Sequence, residues 1–153
     1  MVSEVFIVGG DSLIGSALAS YLSRTGHKVI ASTRHKDISA KNRIYLDLKE
    51  SSDRWALPGK QDTAVLCAGI TDVADCERKP EETARVNVEA TCILADKLVK
   101  AGTRIIFLSS NQVFDGTSPY PSPMDSISPI TEYGIQKAET ERRLLSLFPN
   151  NIQ

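Results

Sequence analysis

Val5-Phe-Ile-Val-Gly-Gly-Asp-Ser-Leu-Ile-Gly15-Ser-Ala-Leu-Ala-Ser-Tyr-Leu-Ser-Arg-Thr-Gly26 decides how the rest of the chain is read. Val5 to Val8 form an apolar run too short for a helix but suited to a strand buried on both faces. The period then changes. Leu13, Ala17 and Tyr21 recur at helical spacing, with Ile14, Leu18 and Leu22 one position on, and Gly26 stands where a helix C-cap glycine belongs. The order is strand, tight turn, helix. Such a turn directs backbone N–H groups and the positive end of a helix dipole at one spot, a place for a phosphate.

A dinucleotide-binding turn has one glycine for the turn, one for close approach of the pyrophosphate and one for packing of helix on strand. Here the three positions are Gly9, Ser12 and Gly15. Ser12 either caps the helix through its hydroxyl or hydrogen-bonds a phosphate oxygen, and either way it narrows the space that glycine would leave. On this turn alone, a plain glycine-containing strand-helix connection remains the competing explanation.

The chain has 153 residues, 41% hydrophobic and 24% charged, which corresponds to one ordinary globular domain. Eighteen basic against 19 acidic residues give a net charge of −1 with no basic cluster, so neither nucleic acid nor an anionic membrane is an expected partner. No apolar run has the length of a membrane span, and the start lacks the features of a signal peptide, so a cytoplasmic location is expected. The three cysteines, Cys67, Cys76 and Cys92, and the two histidines lack metal-ligand spacing, so no metal site is expected.

Lys28 to Ser32 reads as a second strand, ending in Thr33-Arg34-His35-Lys36. An acidic residue about 20 positions past the glycines would bind the ribose 2′-hydroxyl of NAD, whereas an arginine accepts the 2′-phosphate of NADP. Ser32, Thr33 and Arg34 include no acid, which favours NADP(H), with NAD(H) also possible; a solvated basic loop is the alternative. Arg43 to Asp47 reads as a third strand, Ser51 to Trp55 as a turn or short helix, and Pro58-Gly59 as a break. Asp62 to Gly69 reads as a fourth strand ending in small residues, which serve either ligand approach or tight helix packing. A helix opens at Pro80, with Glu81 and Glu82 in its first turn, and stops at Gly102. Arg104 to Ser109 is the fifth strand. The long loop from Asn111 to Pro129 exceeds what a passive connection needs, and a last helix runs from about Thr131 to Phe148. The alternation predicts an α/β, Rossmann-like doubly wound parallel sheet in the order 3-2-1-4-5.

Tyr133 and Lys137 stand at i, i+4 spacing on that last helix and share a face. A lysine cation near a phenol would lower the tyrosine pKa toward proton transfer with an alcohol or carbonyl, and Ser110, at the end of the fifth strand, would hydrogen-bond the same oxygen. A surface Tyr/Lys pair is the bland alternative.

The glycine turn, Cys67-Ala-Gly69, Val86-Asn87, Ser109-Ser110 and Tyr133-Gly-Ile-Gln-Lys137 together resemble, in order and spacing, the extended short-chain dehydrogenases/reductases. Val113-Phe-Asp-Gly116, followed by Asp125, Pro129, Tyr133-Gly134, Lys137 and Glu141, looks more narrowly like the dTDP-4-dehydrorhamnose reductase branch, which acts on nucleotide sugars. The resemblance implies a cofactor site of Gly9, Ser12, Leu13, Ile14 and Gly15 at the pyrophosphate and Arg34 at the 2′-phosphate. Asp47 and Leu48 would face the adenine, Ala68 and Gly69 the adenosine ribose, with Cys67 also among the cofactor-binding residues. Asn87 would complete the site as a structural or relay residue. It implies Ser110, Tyr133 and Lys137 as catalytic, with Lys137 also holding the nicotinamide ribose.

The sequence departs from that pattern at Ser12, and again at Ser109-Ser-Asn-Gln112, where the branch reads Ser-Thr-Asp-Tyr. Family members run to roughly twice this length, and the second half carries a sixth strand and most of the sugar-binding residues. Residues 1–153 thus correspond to the NAD(P)-binding Rossmann domain with the C-terminal substrate domain absent, and Asn151-Ile-Gln153 looks like the opening of the sixth strand. If the chain ends there, the fifth strand becomes an apolar edge with unpaired backbone groups. The resemblance also implies a homodimer formed by the helix after Pro80 and the helix bearing Tyr133, with Ile93, Leu144 and Leu147 on their outer faces. Two functions follow: an NADPH-dependent reductase of a keto-sugar nucleotide, present as its cofactor-binding half, or a non-catalytic NADP-binding regulatory subunit.

Overall fold

The computed structural model describes residues 2–38 and 42–153. Its five parallel strands are β1 (Glu4–Val8), β2 (Lys28–Thr33), β3 (Arg43–Tyr45), β4 (Thr63–Leu66) and β5 (Arg104–Phe107), arranged β3-β2-β1-β4-β5. The predicted order 3-2-1-4-5 is the one observed. The strands end earlier than expected at β3, β4 and β5, because the residues beyond leave the ladder to line the crevice above the sheet.

Alternation along β1 explains the two layers. Phe6 and Val8 face one side, with Leu66, Leu94, Leu98, Ile105 and Leu144, whereas Val5 and Ile7 face the other, with Val29, Ala31 and Val65. Helix α1 (Leu13–Arg24) covers the second face through Leu18 and Leu22, so of its two apolar stripes only the one containing these residues is used; Leu13 and Tyr21 are exposed. The opposite face lies under the segment predicted from Pro80 and under α5 (Glu132–Leu147).

That segment is continuous but not uniform. Helix α3 (Pro80–Ala84) passes into a wider π turn over Arg85–Ala90 and then into α4 (Thr91–Lys100). Before it lies α2 (Val73–Arg78), capped by Asp72, whose carboxylate accepts the Asp75 N–H at 2.9 Å. No helix was expected there, since six residues are too few to show a period.

Two expectations are corrected. Leu144 is not on an outer face: it is fully buried in the core, while Ile135, Leu145 and Leu147 on α5, 47%, 54% and 59% exposed, and Ile93 at 45%, are left outside. Strand β5 is not a bare edge either. Residues 151–153 run parallel beside it: Ile105 N–H donates to Asn151 O at 2.8 Å, Phe107 N–H to Gln153 O at 2.9 Å and Gln153 N–H to Ile105 O at 3.0 Å. Pro149-Asn150 ends α5 and turns the chain back, so residues 151–153 reach the edge of β5. No helix among the described residues is long and apolar enough to cross a membrane.

Candidate active site

The crevice opens where β1 and β4 connect to segments on opposite faces of the sheet, the point at which such folds bind ligands. Gly9 makes the turn possible. Its φ of +88° is open to glycine at little cost, and a Cβ there would stand 2.7 Å from Ala68 N. Gly15 allows the first turn of α1 to settle on Gly9, whose carbonyl oxygen a Cβ would strike.

Ser12 adopts the first of its two roles. It is the N-cap of α1, its Oγ accepting the Gly15 N–H at 3.0 Å while donating to Gly9 O at 2.8 Å. The hydroxyl is therefore spent within the turn. The N–H groups of Leu13 and Ile14 have no partner among the described residues, and with the dipole of α1 they leave the turn able to receive a phosphate. A dinucleotide fits this cradle. Ser32 stitches the turn to β2, its Oγ accepting the Gly9 N–H at 2.7 Å and its carbonyl the Gly10 N–H at 3.0 Å.

The crevice beside this turn is lined by Gly9 and Ser12, by Arg34 beyond β2, by Asp47 and Leu48 beyond β3, and by Cys67, Ala68 and Gly69 beyond β4. Eight of the residues singled out in the sequence thus meet at one cleft. Leu13, Ile14 and Gly15 lie just beneath, in the first turn of α1. Asp11 also lines the cleft, and sequence reasoning passed over it.

Asn87 sits behind the wall, in the π turn. Its Oδ1 accepts the Ile70 N–H at 2.8 Å, and its Nδ2 donates to Ile70 O at 2.9 Å and to Gln136 Oε1 at 2.8 Å. Gln136 Nε2 in turn donates to Thr83 Oγ1 and Glu132 Oε1, both at 2.9 Å, and Thr140 Oγ1 donates to Asn87 O at 2.9 Å. This buried network ties the segment after β4 to α5. Gln136, Thr140 and Thr83 were not anticipated; polar residues every third or fourth position on a helix read as a solvated face, and only the tertiary contacts show them buried.

Helix α5 carries Tyr133 and Lys137. Thr131 caps it, accepting the Gly134 N–H at 3.1 Å and donating to Gln112 Oε1 at 2.9 Å, which fixes the helix start against the segment after β5. Both side chains are buried, Tyr133 7% and Lys137 8% exposed, so the pair is not a surface feature. Lys137 Nζ donates to Leu108 O at 2.7 Å and stands 4.4 Å from the centre of the Phe107 ring, against 6.0 Å for that of Tyr133. Burial pushes the lysine down from its ordinary 10.5 to about 8, with Glu141 and Cys67 pulling it back up.

The tyrosine was expected to have a lowered pKa, and it does not. Burial raises it, the Cys76 thiol adds to the rise, and the neighbouring Ser110 hydroxyl pulls the other way. The physical reason is that the ammonium is committed to the Leu108 carbonyl and the Phe107 face. Ser110 opens onto a second cavity of about 370 Å³ beneath the long loop, shared with Phe114, Pro121, Ile127 and Glu141. Cys67 joins the two regions: it lines the cleft, and its thiol, raised by burial, feels the charge of Lys137. No cluster of metal-ligating side chains occurs among the described residues.

With this geometry in place, the chain can be set beside known proteins. The family described as "RmlD substrate binding domain" matches residues 3–152. A dTDP-4-keto-6-deoxy-D-glucose reductase of Streptomyces niveus is 30% identical over 152 residues, spanning 99% of this chain and 50% of its own length. The methionine adenosyltransferase 2 subunit beta of Xenopus tropicalis is 32% identical over 146 residues, 93% of this chain and 42% of its own. Among solved structures, MoeE5 in complex with UDP-glucose and NAD is similar with a TM-score of 0.83 at 26% identity, over 98% of this chain and 52% of its own. The chain spans about half the length of the curated relatives it matches.

Proposed function

Because the chain belongs to the RmlD substrate binding domain family, we propose that it is the cofactor-binding and proton-donating half of a reductase that uses NADP(H), and also NAD(H), to reduce a keto-sugar nucleotide. The observation that carries the reading is the burial of Tyr133 and Lys137 on one helix beside Ser110, adjoining a cleft whose glycine turn leaves helix N–H groups for a phosphate. The dihydronicotinamide would supply hydride to the keto carbon. Ser110 Oγ would hold the carbonyl oxygen, and Tyr133 would hand its proton to the developing alkoxide. A phenol that stays protonated in the resting chain suits the donor role. Lys137 would turn from Leu108 to the nicotinamide ribose, bringing its charge nearer the phenol. Arg34 on the cleft wall supports acceptance of a 2′-phosphate. The sugar-binding groups would belong to the half of the relatives' length that this chain does not span.

A second reading rests on the likeness to the methionine adenosyltransferase subunit: a non-catalytic cofactor-binding subunit that regulates a partner enzyme. One experiment separates the two. NADPH oxidation with dTDP-4-keto-6-deoxyglucose is followed for residues 1–153 and for a form extended through the second half of the Streptomyces relative. Turnover is expected only in the extended form, and Tyr133→Phe should lower its kcat by about 10²- to 10⁴-fold. No turnover in the extended form would leave the regulatory reading standing, whereas turnover indifferent to Tyr133 would overturn the proton-donor role.

A further inference from the structure

The expectation of NADP(H) came from the absence of an acid at the end of β2. In the structure that place is filled from elsewhere. The turn after β1 brings Asp11 across, where its Oδ2 accepts the Thr33 hydroxyl at 2.8 Å and the Arg34 N–H at 3.0 Å. Its Oδ1 accepts Arg43 Nη1 at 3.1 Å. The side chains of Arg43 and Asp11 are 29% and 26% exposed, so the pair is partly buried. The approach is tight: a Cβ on Gly10 would stand 2.9 Å from Arg43 Nη1 and 2.7 Å from the Ala31 methyl. A side chain at position 10 would therefore collide with the arginine that reaches Asp11.

The carboxylate thus occupies the position from which an acid on β2 would meet the adenosine ribose, and Asp11 lines the cleft together with Thr33 and Arg34. A carboxylate has about four acceptor sites. Thr33, Arg34 and Arg43 take three, which leaves one for a donor in the cleft. A ribose 2′-hydroxyl is such a donor. A 2′-phosphate is not, and it would bring like charge beside the carboxylate. Although burial alone would raise the pKa of Asp11, the Thr33 hydroxyl, the Arg34 N–H and the charges of Arg43 and His35 hold it below the usual range, so the carboxylate is charged at neutral pH. Arg43 is already neutralised by Asp11. Arg34, which makes no ion pair among the described residues, is left as the cation for a 2′-phosphate.

We infer that Asp11 is the residue that sets the choice between the two cofactors, accepting the ribose 2′-hydroxyl of NAD(H) and opposing, through its charge, the attraction of Arg34 for the 2′-phosphate of NADP(H). This rests on the cofactor reading above. It explains why one cleft would serve both cofactors: the arginine and the carboxylate offset each other, and discrimination in the wild type stays within about tenfold, or about 1.4 kcal/mol.

The test isolates this subsite by calorimetric titration of the chain with ADP-ribose and with 2′-phospho-ADP-ribose, which lack the nicotinamide and need no turnover. Asp11→Asn keeps the shape and the acceptor oxygen for Thr33 and Arg34 but removes the charge and releases Arg43. The ratio of affinities should move toward the phosphorylated ligand by about tenfold or more, as expected for relief of a close like-charge pair. Asp11→Glu retains the charge and should leave the ratio within about threefold of the wild type. Equal weakening of both ligands by Asp11→Asn, or an unchanged ratio, would overturn the assignment and leave the cofactor reading intact. Absence of binding by either ligand to the wild type at millimolar concentration would remove the cofactor reading itself, and this inference with it.

Discussion

The two walls of the crevice are built by different means. On the β1 side, the turn from Gly9 to Gly15 holds itself together: Ser12 bonds to Gly9 and Gly15, each three residues away in the chain. On the α5 side, Asn87 joins Ile70 to Gln136 across 17 and 49 residues. The helix cap of the first wall is local chemistry, and only its ties to β2 through Ser32 and Asp11 span 22 to 23 residues. The second exists only once β4, the π turn and α5 have come together, and it places buried polar atoms where apolar packing would be simpler. The difference teaches that the glycine turn accommodates a serine at its middle position, whereas the α5 side depends on every member of its network being satisfied.

Breaking the long-range wall should therefore cost most. Asn87→Ala would leave the Ile70 N–H and carbonyl and Gln136 Oε1 without their partners, and a loss of about 3 kcal/mol in urea unfolding is expected. A loss below about 1 kcal/mol would mean that water replaces the amide and that the two walls do not differ in kind.

Lys137 sharpens the comparison with the opposite sign. Its pKa falls from 10.5 to about 8 on folding, so between those values the unfolded chain binds more protons and stability rises with pH. The penalty is fully present below about pH 8 and is gone by about 10.5. Lys137→Met should stabilise the chain at pH 7 by about 2 kcal/mol, since the shift corresponds to about 3 and the lost bond to Leu108 offsets about 1. The gap between variant and wild type should close as pH rises through that window. A gap independent of pH would mean that the ammonium is hydrated in solution.

The local wall should respond least. Ser12→Ala removes a helix cap and should cost about 1 kcal/mol in thermal or urea unfolding, while Ser12→Gly should cost only a few tenths. If the two substitutions cost the same, the Ser12 hydroxyl matters for something other than capping.

Much of this architecture was legible in the sequence because it is written in short-range periods. The strand-turn-helix opening and the sheet order follow from apolar runs separated by glycine and proline, whereas the convergence of Gly9, Arg34, Asp47 and Ala68 on one cleft was implied by the family resemblance. The pairing of residues 151–153 with β5 was half legible: Asn151-Ile-Gln153 reads as the start of a strand, but that three residues suffice to cover the edge depends on where α5 ends. Leu144 and Leu145 show the limit at finer scale. Adjacent leucines on an amphipathic helix carry no mark of which one faces the sheet, and the packing of α5 put Leu144 in the core.

By itself the sequence determined the class of fold, the strand order and the positions of Gly9, Tyr133 and Lys137, since backbone conformation and hydrophobic period act over a few residues. Only the tertiary structure decided that Asp11 bonds to Thr33 and Arg34 at the end of β2, that Asn87 and Gln136 share one buried network, and that Lys137 is turned toward Leu108. Each of those facts concerns where a charge or a polar atom finds its partner. Partners that lie 22, 49 and 29 residues apart are set by how the elements pack, which a linear pattern does not record.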